Sequence, residues 1–399
     1  MTTKLPVLDV PIVLAPLGGV GTPELAAAVS NAGGLGFLPC AYSTPAQITE
    51  QIAAVRRLTD RPFGVNLFVE TQWDEPGDRV RRAHERLRRY RNELGIPHAA
   101  EPPLPPRHYR QQVEAVLAAR PAVFSFTFGI LEADVLERAR AAGIATLGTA
   151  TTVDEALALE RAGVDAICAQ GAEAGAHRGT FLAPVADSLI GTLALVPQIV
   201  DAVQVPVVAA GGIGDGRGVA AVLALGAMWA QLGTAFLLAD ESGISPAYRH
   251  VLAGDPVRRT TLTTAFSGRA ARGIRNRFIE EMSNPDDLAP YPYQNALTRD
   301  VRTAAAQQNR PEFLSLWAGQ AAALAKAEPA ATIVARLMRE AREAAQRSVR
   351  AAGLPVGDYL IATGNNCSIA GPIAFSDTPT MAAPKLPRNI WPMSASPVP

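Results

Sequence analysis

Residues 205–225 read VPVVAAGGIGDGRGVAAVLAL, and this stretch decides the fold. It opens with a short run of β-branched and small apolar residues, passes through a glycine-dense turn at 211–216, and continues into a run typical of a helix. A strand that turns within a few residues into a helix is the βα unit from which parallel sheets are built. The unit recurs along the chain.

Eight runs rich in Val, Ile, Phe and Ala have this character, and they occupy residues 11–15, 35–40, 63–68, 122–129, 144–150, 166–171, 205–212 and 228–236. Their first residues lie 24, 28, 59, 22, 22, 39 and 23 positions apart, whereas one strand, one helix and two loops need about 20 residues. The runs are almost wholly apolar, as expected for strands covered on both faces. The pattern predicts an α/β fold, a (β/α)8 TIM barrel with two long connections; a doubly wound open sheet is the alternative.

Helix N-terminal signals stand between the runs. Thr22 precedes Pro23, the order typical of an N-cap followed by the first helical residue. Thr152 and Glu155 have the spacing of a capping box. Both signals support helices between successive strands.

Two segments exceed a minimal barrel. Residues 70–107, after the third strand, hold an arginine-dense stretch with interspersed acids and then a proline cluster, which indicates a solvated helix followed by a stiff connector. The eighth strand is followed by a long helical pattern. We divide the chain into a barrel at 1–245, a mainly helical cap or substrate lobe at 246–352 that completes the barrel, and an irregular C-terminal tail at 353–399.

Composition and charge exclude several classes of protein. Apolar residues make up 48% of the chain, and 37 Lys+Arg balance 37 Asp+Glu, so we expect neither a disordered protein nor a nucleic-acid partner. The three cysteines, Cys40, Cys168 and Cys367, lie far apart with no CxxC, so we expect neither a disulfide framework nor a metal site. The first 16 residues contain neither a signal peptide nor a membrane span, so we expect a cytoplasmic protein with no membrane partner.

Two neighbouring strand ends predict a phosphate site. The seventh strand ends in the glycines of 211–216, and the eighth ends in the polar step Gln231-Leu232-Gly233-Thr234. Glycines let backbone N–H groups approach an anion closely, and barrels bind phosphate at these two loops. Two tight turns without a ligand are the alternative.

Three other strand ends carry polar or small residues that packing does not require. His177 lies in the long loop after the sixth strand, and an imidazole suits proton transfer or anion stabilisation near neutral pH. Asn66 interrupts an apolar run, which indicates a hydrogen bond either to a ligand or within the core. The small residues at 15–19 allow the main chain to lie against a planar ring. A phosphate and a flat polar heterocycle match flavin mononucleotide (FMN), as they match other phosphorylated heterocycles.

These residues resemble a known family, the nitronate monooxygenases, formerly called 2-nitropropane dioxygenases, which are FMN-dependent (β/α)8 barrels. The similarity spans about 11–320. Its motifs are AQGAEAGAHRG at 169–179, PVVAAGGIGDGRG at 206–218, AQLGTAF at 230–236, PFGVNLF at 62–68, SFTFG at 125–129 and LWAGQ at 316–320.

The resemblance implies the roles of particular residues. It implies that His177 is catalytic, beside the reactive face of the flavin. The implied FMN contacts are Asn66, Gln170, Gly175, Gly212, Gln231, Leu232, Gly233 and Thr234, and the implied substrate contacts are Tyr109, Tyr291 and Tyr293. The family usually has Gly-Gly-His where this chain has Gly-Ala-His at 175–177, and a methyl group there is tolerable unless the position needs a positive φ.

The resemblance also implies the reaction. The family oxidises alkyl nitronates, here propionate 3-nitronate as the expected substrate, with O2 to a carbonyl product plus nitrite or related nitrogen oxides. A nitronate is an anion and needs a cationic or hydrogen-donating partner, for which His177 is the candidate. Two alternatives stay open: an FMN-dependent NAD(P)H:quinone or enoyl reductase on the same barrel, and a non-redox barrel for phosphorylated sugars. The expected partners are the small nitronate and O2, and the expected assembly is a monomer or a homodimer.

Overall fold

The computed structural model of the chain describes residues 5–70 and 77–352. Eleven strands occur in these residues. They are β1 (Ile12–Leu14), β2 (Gly36–Pro39), β3 (Phe63–Phe68), β4 (Val123–Thr127), β5 (Ala145–Ala150), β6 (Ala166–Gln170), β7 (Ala176–His177), β8 (Val207–Ala210), β9 (Trp229–Leu232), β10 (Thr260–Thr263) and β11 (Ala271–Ile274).

Eight of the strands form one parallel sheet that closes on itself. The order is β1-β9-β8-β6-β5-β4-β3-β2, and Val13 pairs with Leu35 at the entrance to β2. The backbone N–H of Leu14 donates to the Leu35 carbonyl at 2.9 Å, and the N–H of Leu35 donates to the Ile12 carbonyl at 3.0 Å. Every predicted run contains one barrel strand. The predicted (β/α)8 barrel is therefore confirmed, and the open sheet is excluded.

Fourteen α-helices accompany the strands in the described residues. They are α1 (Pro23–Asn31), α2 (Pro45–Leu58), α3 (Gly77–Arg86), α4 (Arg88–Leu94), α5 (Tyr109–Ala119), α6 (Ala133–Ala141), α7 (Val153–Ala162), α8 (Thr192–Ala202), α9 (Gly216–Ala224), α10 (Pro246–Leu252), α11 (Arg277–Glu281), α12 (Tyr293–Leu297), α13 (Arg299–Gln307) and α14 (Ala330–Ala351). The Thr22 side chain caps α1, as predicted, by accepting from the Leu25 N–H.

The last helix belongs to the barrel. One helix follows each barrel strand, and α14 takes this place after β9 because it packs against α9 and α1. The predicted helical region at 246–352 is thus divided between a barrel helix and a lobe that precedes it. The division into domains stays a prediction, and the tail at 353–399 lies outside the described residues.

The insertion after β3 is solvated on one side only: Arg79, Arg81, Arg82, Arg88 and Arg89 are exposed, whereas the other side is buried. Its described residues form α3 and α4, whose apolar side chains share one core with residues 237–322. Arg91 is 1% exposed, and its Nε donates to the Asp300 carboxylate at 2.7 Å. The expectation holds for the exposed arginines and missed the buried side, because the partners of the buried side chains are distant in sequence, as Asp300 is from Arg91, and a local pattern does not show them.

A small antiparallel sheet was not predicted. Strand β11 pairs with β10 on one side and with the two-residue β7 on the other, so that His177 lies opposite Ala271. The lobe is thereby joined to the loop that follows β6.

Two further properties of residues 5–70 and 77–352 concern membranes and metals. None of the helices in this part is long and apolar enough to cross a bilayer. The same part contains no cluster of three His, Cys, Asp or Glu side chains with the geometry of a metal site.

A buried carboxylate fastens the loop after β7 to the barrel. The predicted capping box is half formed, because the Thr152 side chain accepts from the Glu155 N–H but the Glu155 side chain turns inward and is 0% exposed. The carboxylate accepts hydrogen bonds from Thr151 N–H and hydroxyl, Thr180 hydroxyl, Phe181 N–H and Leu182 N–H, over 2.6 to 3.1 Å. A carboxylate surrounded only by donors is strongly bound.

We expect Glu155→Gln to lower the free energy of unfolding by about 3 kcal/mol, because the new amide group turns two hydrogens toward groups that also donate. Urea unfolding followed by circular dichroism measures the loss. The matched control is Glu137→Gln, since Glu137 is exposed on α6. Equal unfolding midpoints for the two variants would contradict the role given to Glu155.

Candidate active site

A cavity of about 980 Å³ lies at the carboxyl ends of the barrel strands. All eight barrel strands, or the residues directly after them, contribute to its wall. The contributing residues, from β1 to β9, are Ala15, Pro39, Asn66, Thr127, Thr149, Gln170, Ala210 and Gln231. This is the end at which (β/α)8 enzymes place their active sites.

The structure brings most of the predicted cofactor residues to this one cavity. The residues that line it are Asn66, Gln170, Gly175, Gly212, Gln231, Gly233 and Thr234. Leu232 is the exception, since its side chain is 1% exposed in the barrel core and does not line the cavity. Its carbonyl accepts from the Ala15 N–H at 2.9 Å, so the residue closes the barrel.

The two predicted phosphate loops present free backbone amides. Within the described residues, the N–H groups of Gly212, Gly233 and Thr234 take part in no hydrogen bond. Gly212 adopts φ 70°, a conformation that favours glycine. The Thr234 hydroxyl accepts from the Gly319 N–H at 3.0 Å, which ties the second loop to the LWAGQ motif. Unpaired N–H groups on adjacent loops are suited to an anion.

The two side-chain amides at the strand ends have partners within the protein. Asn66 Nδ2 donates to Ser125 Oγ at 2.9 Å. Gln170 Nε2 donates to the His177 carbonyl at 3.0 Å, and Gln170 Oε1 accepts from the Gly179 N–H at 2.8 Å. Gln170 therefore holds both sides of the loop that carries the candidate catalytic residue.

A buried arginine holds the same loop from below. Arg178 is 3% exposed, and its guanidinium donates to the carbonyls of Gln170, Gly171 and Ser188. Burial lowers the pKa of Arg178 to about 10, so the side chain stays protonated at neutral pH. Reasoning from the sequence missed this residue, because an arginine beside a histidine in a loop has no distinctive pattern.

His177 lies in an aromatic setting on the cavity wall. Its ring centroid is 5.9 Å from that of Phe68, 5.7 Å from Phe128, 6.0 Å from Tyr291 and 5.9 Å from Trp317. Burial, and to a smaller extent the nearby cations Arg269 and Arg302, lower the pKa of His177 to about 3. The imidazole is therefore neutral near pH 7. Of the two expected roles, a cationic or a hydrogen-donating partner, the low pKa disfavours the first, and the role of His177 stays a prediction.

The hydrogen bonds around His177 determine its tautomer. His177 Nε2 lies 2.9 Å from Ser267 Oγ, and the Ser267 hydroxyl donates to the Arg269 carbonyl at 2.9 Å. Because the serine proton is used on that carbonyl, Nε2 is the donor to Ser267 and carries the imidazole proton. The lone pair of Nδ1 then remains available.

Ala176 departs from the family pattern at a position where glycine matters. Its φ is 61°, in the left-handed region that favours glycine. The pairing of β7 with β11 holds the backbone in this conformation, with Ala176 opposite Arg272 and His177 opposite Ala271. The loop keeps its course at some cost in backbone strain.

The three predicted substrate tyrosines are spread over different surroundings. Tyr291 stands beside His177 and lines a smaller cavity that shares Tyr42 with the main one. Tyr109 lines only the smaller cavity, and its hydroxyl donates to Glu132 at 2.9 Å. Tyr293 lines neither of these two cavities and packs in the core of the lobe. The structure thus brings only Tyr291 close to the candidate catalytic residue.

The cavity wall also contains groups that the sequence reasoning missed. Arg299 and Arg302 line it from α13, and Trp317 lines it from the LWAGQ motif. The spacing of three between the arginines places them on one face of a helix. Nothing in the sequence showed that this face lines a cavity rather than facing solvent. Cys168 also lines the cavity, and burial raises the pKa of its thiol to about 12, which makes thiolate chemistry unavailable at neutral pH.

Comparison with known proteins agrees with this geometry. The family model described as "Nitronate monooxygenase" matches residues 1–340. A "Probable nitronate monooxygenase" of Staphylococcus aureus is 42% identical over 346 residues, which cover 86% of this chain and 98% of the relative.

Solved structures resemble the chain to different degrees. The nitroalkane oxidase from Streptomyces ansochromogenes is 42% identical, with a TM-score of 0.81 over 86% of this chain and 98% of that one. FabK from Thermotoga maritima is 27% identical, with a TM-score of 0.67 over 86% and 96%. Because the family model covers most of the chain and the relatives match it almost end to end, the chain belongs to the nitronate monooxygenase family of oxidoreductases.

Proposed function

We propose that the protein is an FMN-dependent nitronate monooxygenase, which oxidises alkyl nitronates with O2 to a carbonyl product plus nitrite or related nitrogen oxides. The observation that carries the proposal is the convergence of unpaired loop amides and a neutral histidine on one cavity at the strand ends. We propose propionate 3-nitronate as the substrate. A cytoplasmic location and a monomeric or homodimeric state stay predictions.

The described residues fit a flavin phosphate. The amides of Gly212, Gly233 and Thr234 have no protein partner, and phosphate oxygens would satisfy them. The cavity volume lies at the upper end of the range for ligand sites, which leaves room for a substrate beside a cofactor. When bound, FMN supplies the electron acceptor that the oxidation requires. Asn66 and Gln170 would border its ring, each already oriented by a partner within the protein.

His177 contributes a neutral imidazole rather than a charge. Ser267 accepts from its Nε2–H, so the Nδ1 lone pair can accept a hydrogen bond from a molecule bound in the cavity. The surrounding aromatic rings exclude water from this side of the site. Exclusion of water strengthens every remaining polar interaction with the substrate.

The alternative of a pyridine-nucleotide reductase shares the barrel and the cofactor. The chain also resembles FabK from Thermotoga maritima. The likeness to the nitroalkane oxidase is greater in both identity and TM-score, which favours nitro-group chemistry.

We expect the purified protein to be yellow, to consume O2 with propionate 3-nitronate, and to keep its flavin oxidised when mixed anaerobically with NADH. A visible spectrum, an oxygen electrode and a stopped-flow trace provide the three measurements. A colourless preparation would reject the cofactor, whereas flavin bleaching by NADH without oxygen uptake on nitronate would favour the reductase.

We expect His177→Asn to retain flavin and to lose about 100-fold or more in turnover, because removing one positioned polar group beside the reacting atoms costs about 10² to 10³ in rate. The flavin-to-protein absorbance ratio and steady-state oxygen uptake measure the two effects. His250→Asn is the control, since His250 is exposed on α10. Undiminished turnover in His177→Asn would remove His177 from the reaction.

We expect the His177 ring to remain neutral from about pH 8 to about pH 5, because its pKa of about 3 lies below that range. A lowered histidine pKa means that the charged form appears only when the pH falls through the lower value. Nitrogen-15 NMR of labelled imidazoles, assigned with His177→Asn, follows the ring directly. Protonation with a midpoint near pH 6.5 would contradict the burial argument.

A further inference from the structure

One face of α13 carries positive charge into the cavity. Arg299, Arg302, Thr303 and Ala306 line it at helical spacing. The opposite face packs in the lobe through Val301 and its neighbours. The charges therefore stand on a helix whose position is fixed by its buried side.

The guanidinium of Arg302 is anchored, yet one of its nitrogens is free. Nη2 donates to the Asn295 backbone oxygen at 2.9 Å and to Asn295 Oδ1 at 3.0 Å, while Nε lies 3.3 Å from the Thr298 carbonyl. Within the described residues, Nη1 makes no hydrogen bond. The atom is not buried, so a molecule in the cavity can reach it. An anchored guanidinium with an open nitrogen at a cavity wall is ready to bind an acceptor.

No acid neutralises this side chain within the described part of the chain. The carboxylate of Asp300, next to it on α13, pairs instead with Arg91 at 2.7 Å. The cavity wall contains neither Asp nor Glu among its described residues. Burial lowers the pKa of Arg302 to about 10, so the cation persists at neutral pH.

Other cations strengthen the field at this end of the cavity. Arg299, Arg302 and Arg269 each act on Tyr42, whose pKa burial nevertheless raises. Arg269 also lies 3.8 Å from the centre of the Phe128 ring, beside His177. The net positive charge favours an anion bound within reach of the neutral imidazole.

The cationic wall formed by Arg299 and Arg302 is separate from the candidate phosphate loops. Those loops follow β8 and β9, whereas Tyr42 follows β2 and marks the end of the cavity on which Arg299 and Arg302 act. The two places can therefore hold two different anions in one cavity.

We propose that Arg302, assisted by Arg299, forms a subsite for a carboxylate on the substrate's carbon chain, and that the enzyme thereby selects nitronates of short nitro-carboxylic acids over nitronates with uncharged tails. The inference rests on the proposed function and deepens it, because it assigns substrate selection to residues of this chain. Propionate 3-nitronate has the required carboxylate, two carbons from the nitrogen-bearing end. Asn295 is a positioning residue, since its backbone and side-chain oxygens accept from Arg302 and so orient the guanidinium.

The kinetic test compares two nitronates of similar length on the holoenzyme. We expect Arg302→Gln to raise KM for propionate 3-nitronate about 10- to 100-fold, the range for losing a charge-assisted hydrogen bond, and to leave its kcat within about threefold. The kinetic constants for butyl-1-nitronate should stay within about twofold. Compared with Arg302→Gln, Arg302→Lys should restore part of the affinity, because lysine returns the positive charge but not the paired N–H donors of the guanidinium. Arg347→Gln, which removes an exposed cation on α14, is the control for net charge.

A binding test needs no turnover. Succinate has as many chain atoms as propionate 3-nitronate when the nitrogen is counted, with a carboxylate in place of the nitronate group. We expect calorimetric titration of the holoenzyme to give a Kd for succinate that Arg302→Gln weakens about 10-fold or more, whereas butyrate, with one carboxylate, binds weakly to both proteins.

Three results would overturn the subsite. They are an equal loss on both nitronates, an unchanged Kd for succinate, and loss of flavin from both Arg302→Gln and Arg302→Lys, which would assign the arginine to the cofactor. If wild-type enzyme consumed O2 with neither nitronate, the proposed function would fail, and the succinate titration would still decide whether a carboxylate subsite exists.

Discussion

The closing hydrogen bonds between β1 and Leu35 are the constraint on which the rest of the structure depends. A parallel sheet that closes has no free edge, so all eight carboxyl ends must meet around one axis. Residues distant in sequence, such as Asn66, Gln170 and Gln231, then share one cavity without any contact that pairs them directly. An open sheet of the same strands would have distributed these residues along a crevice.

Placing a histidine at this rim requires a second set of interactions. The loop after β6 runs over the barrel mouth, where its backbone groups are removed from water and must be paired within the protein. Arg178 satisfies carbonyl groups on one side of His177, and Glu155 satisfies amide groups beyond it. Glu155 favours the charged state of Arg178, since it raises the pKa of that guanidinium against the effect of burial. The loop is therefore rigid because two buried ions replace the solvent it has lost.

The sequence predicted those parts whose signals are local. Eight apolar runs, the cap at Thr22 and the glycine turn before α9 all depend on residues within a few positions of each other, and all were found. The small sheet of β7, β10 and β11 escaped prediction because β7 has only two residues and the four-residue strands β10 and β11 are too short to show a clear period. The buried pair of Arg91 and Asp300 escaped it because only the folded chain joins the insertion to the lobe. For the same reason, the site residues that follow barrel strands were predicted, and those that α13 contributes were missed.

The structure divides two properties that the sequence had assigned to one residue. A buried histidine cannot readily carry a positive charge, and the nearby charges of Arg269 and Arg302 add to that cost. The same arginines can remain charged because guanidinium loses its proton only at high pH, even after burial has lowered its pKa. Attraction for an anion is therefore held by the guanidinium groups, while His177 presents a neutral imidazole beside them, and both states persist over the same range of pH. A site built in this way keeps its positive field when the substrate has left, and burial together with that field keeps the imidazole neutral.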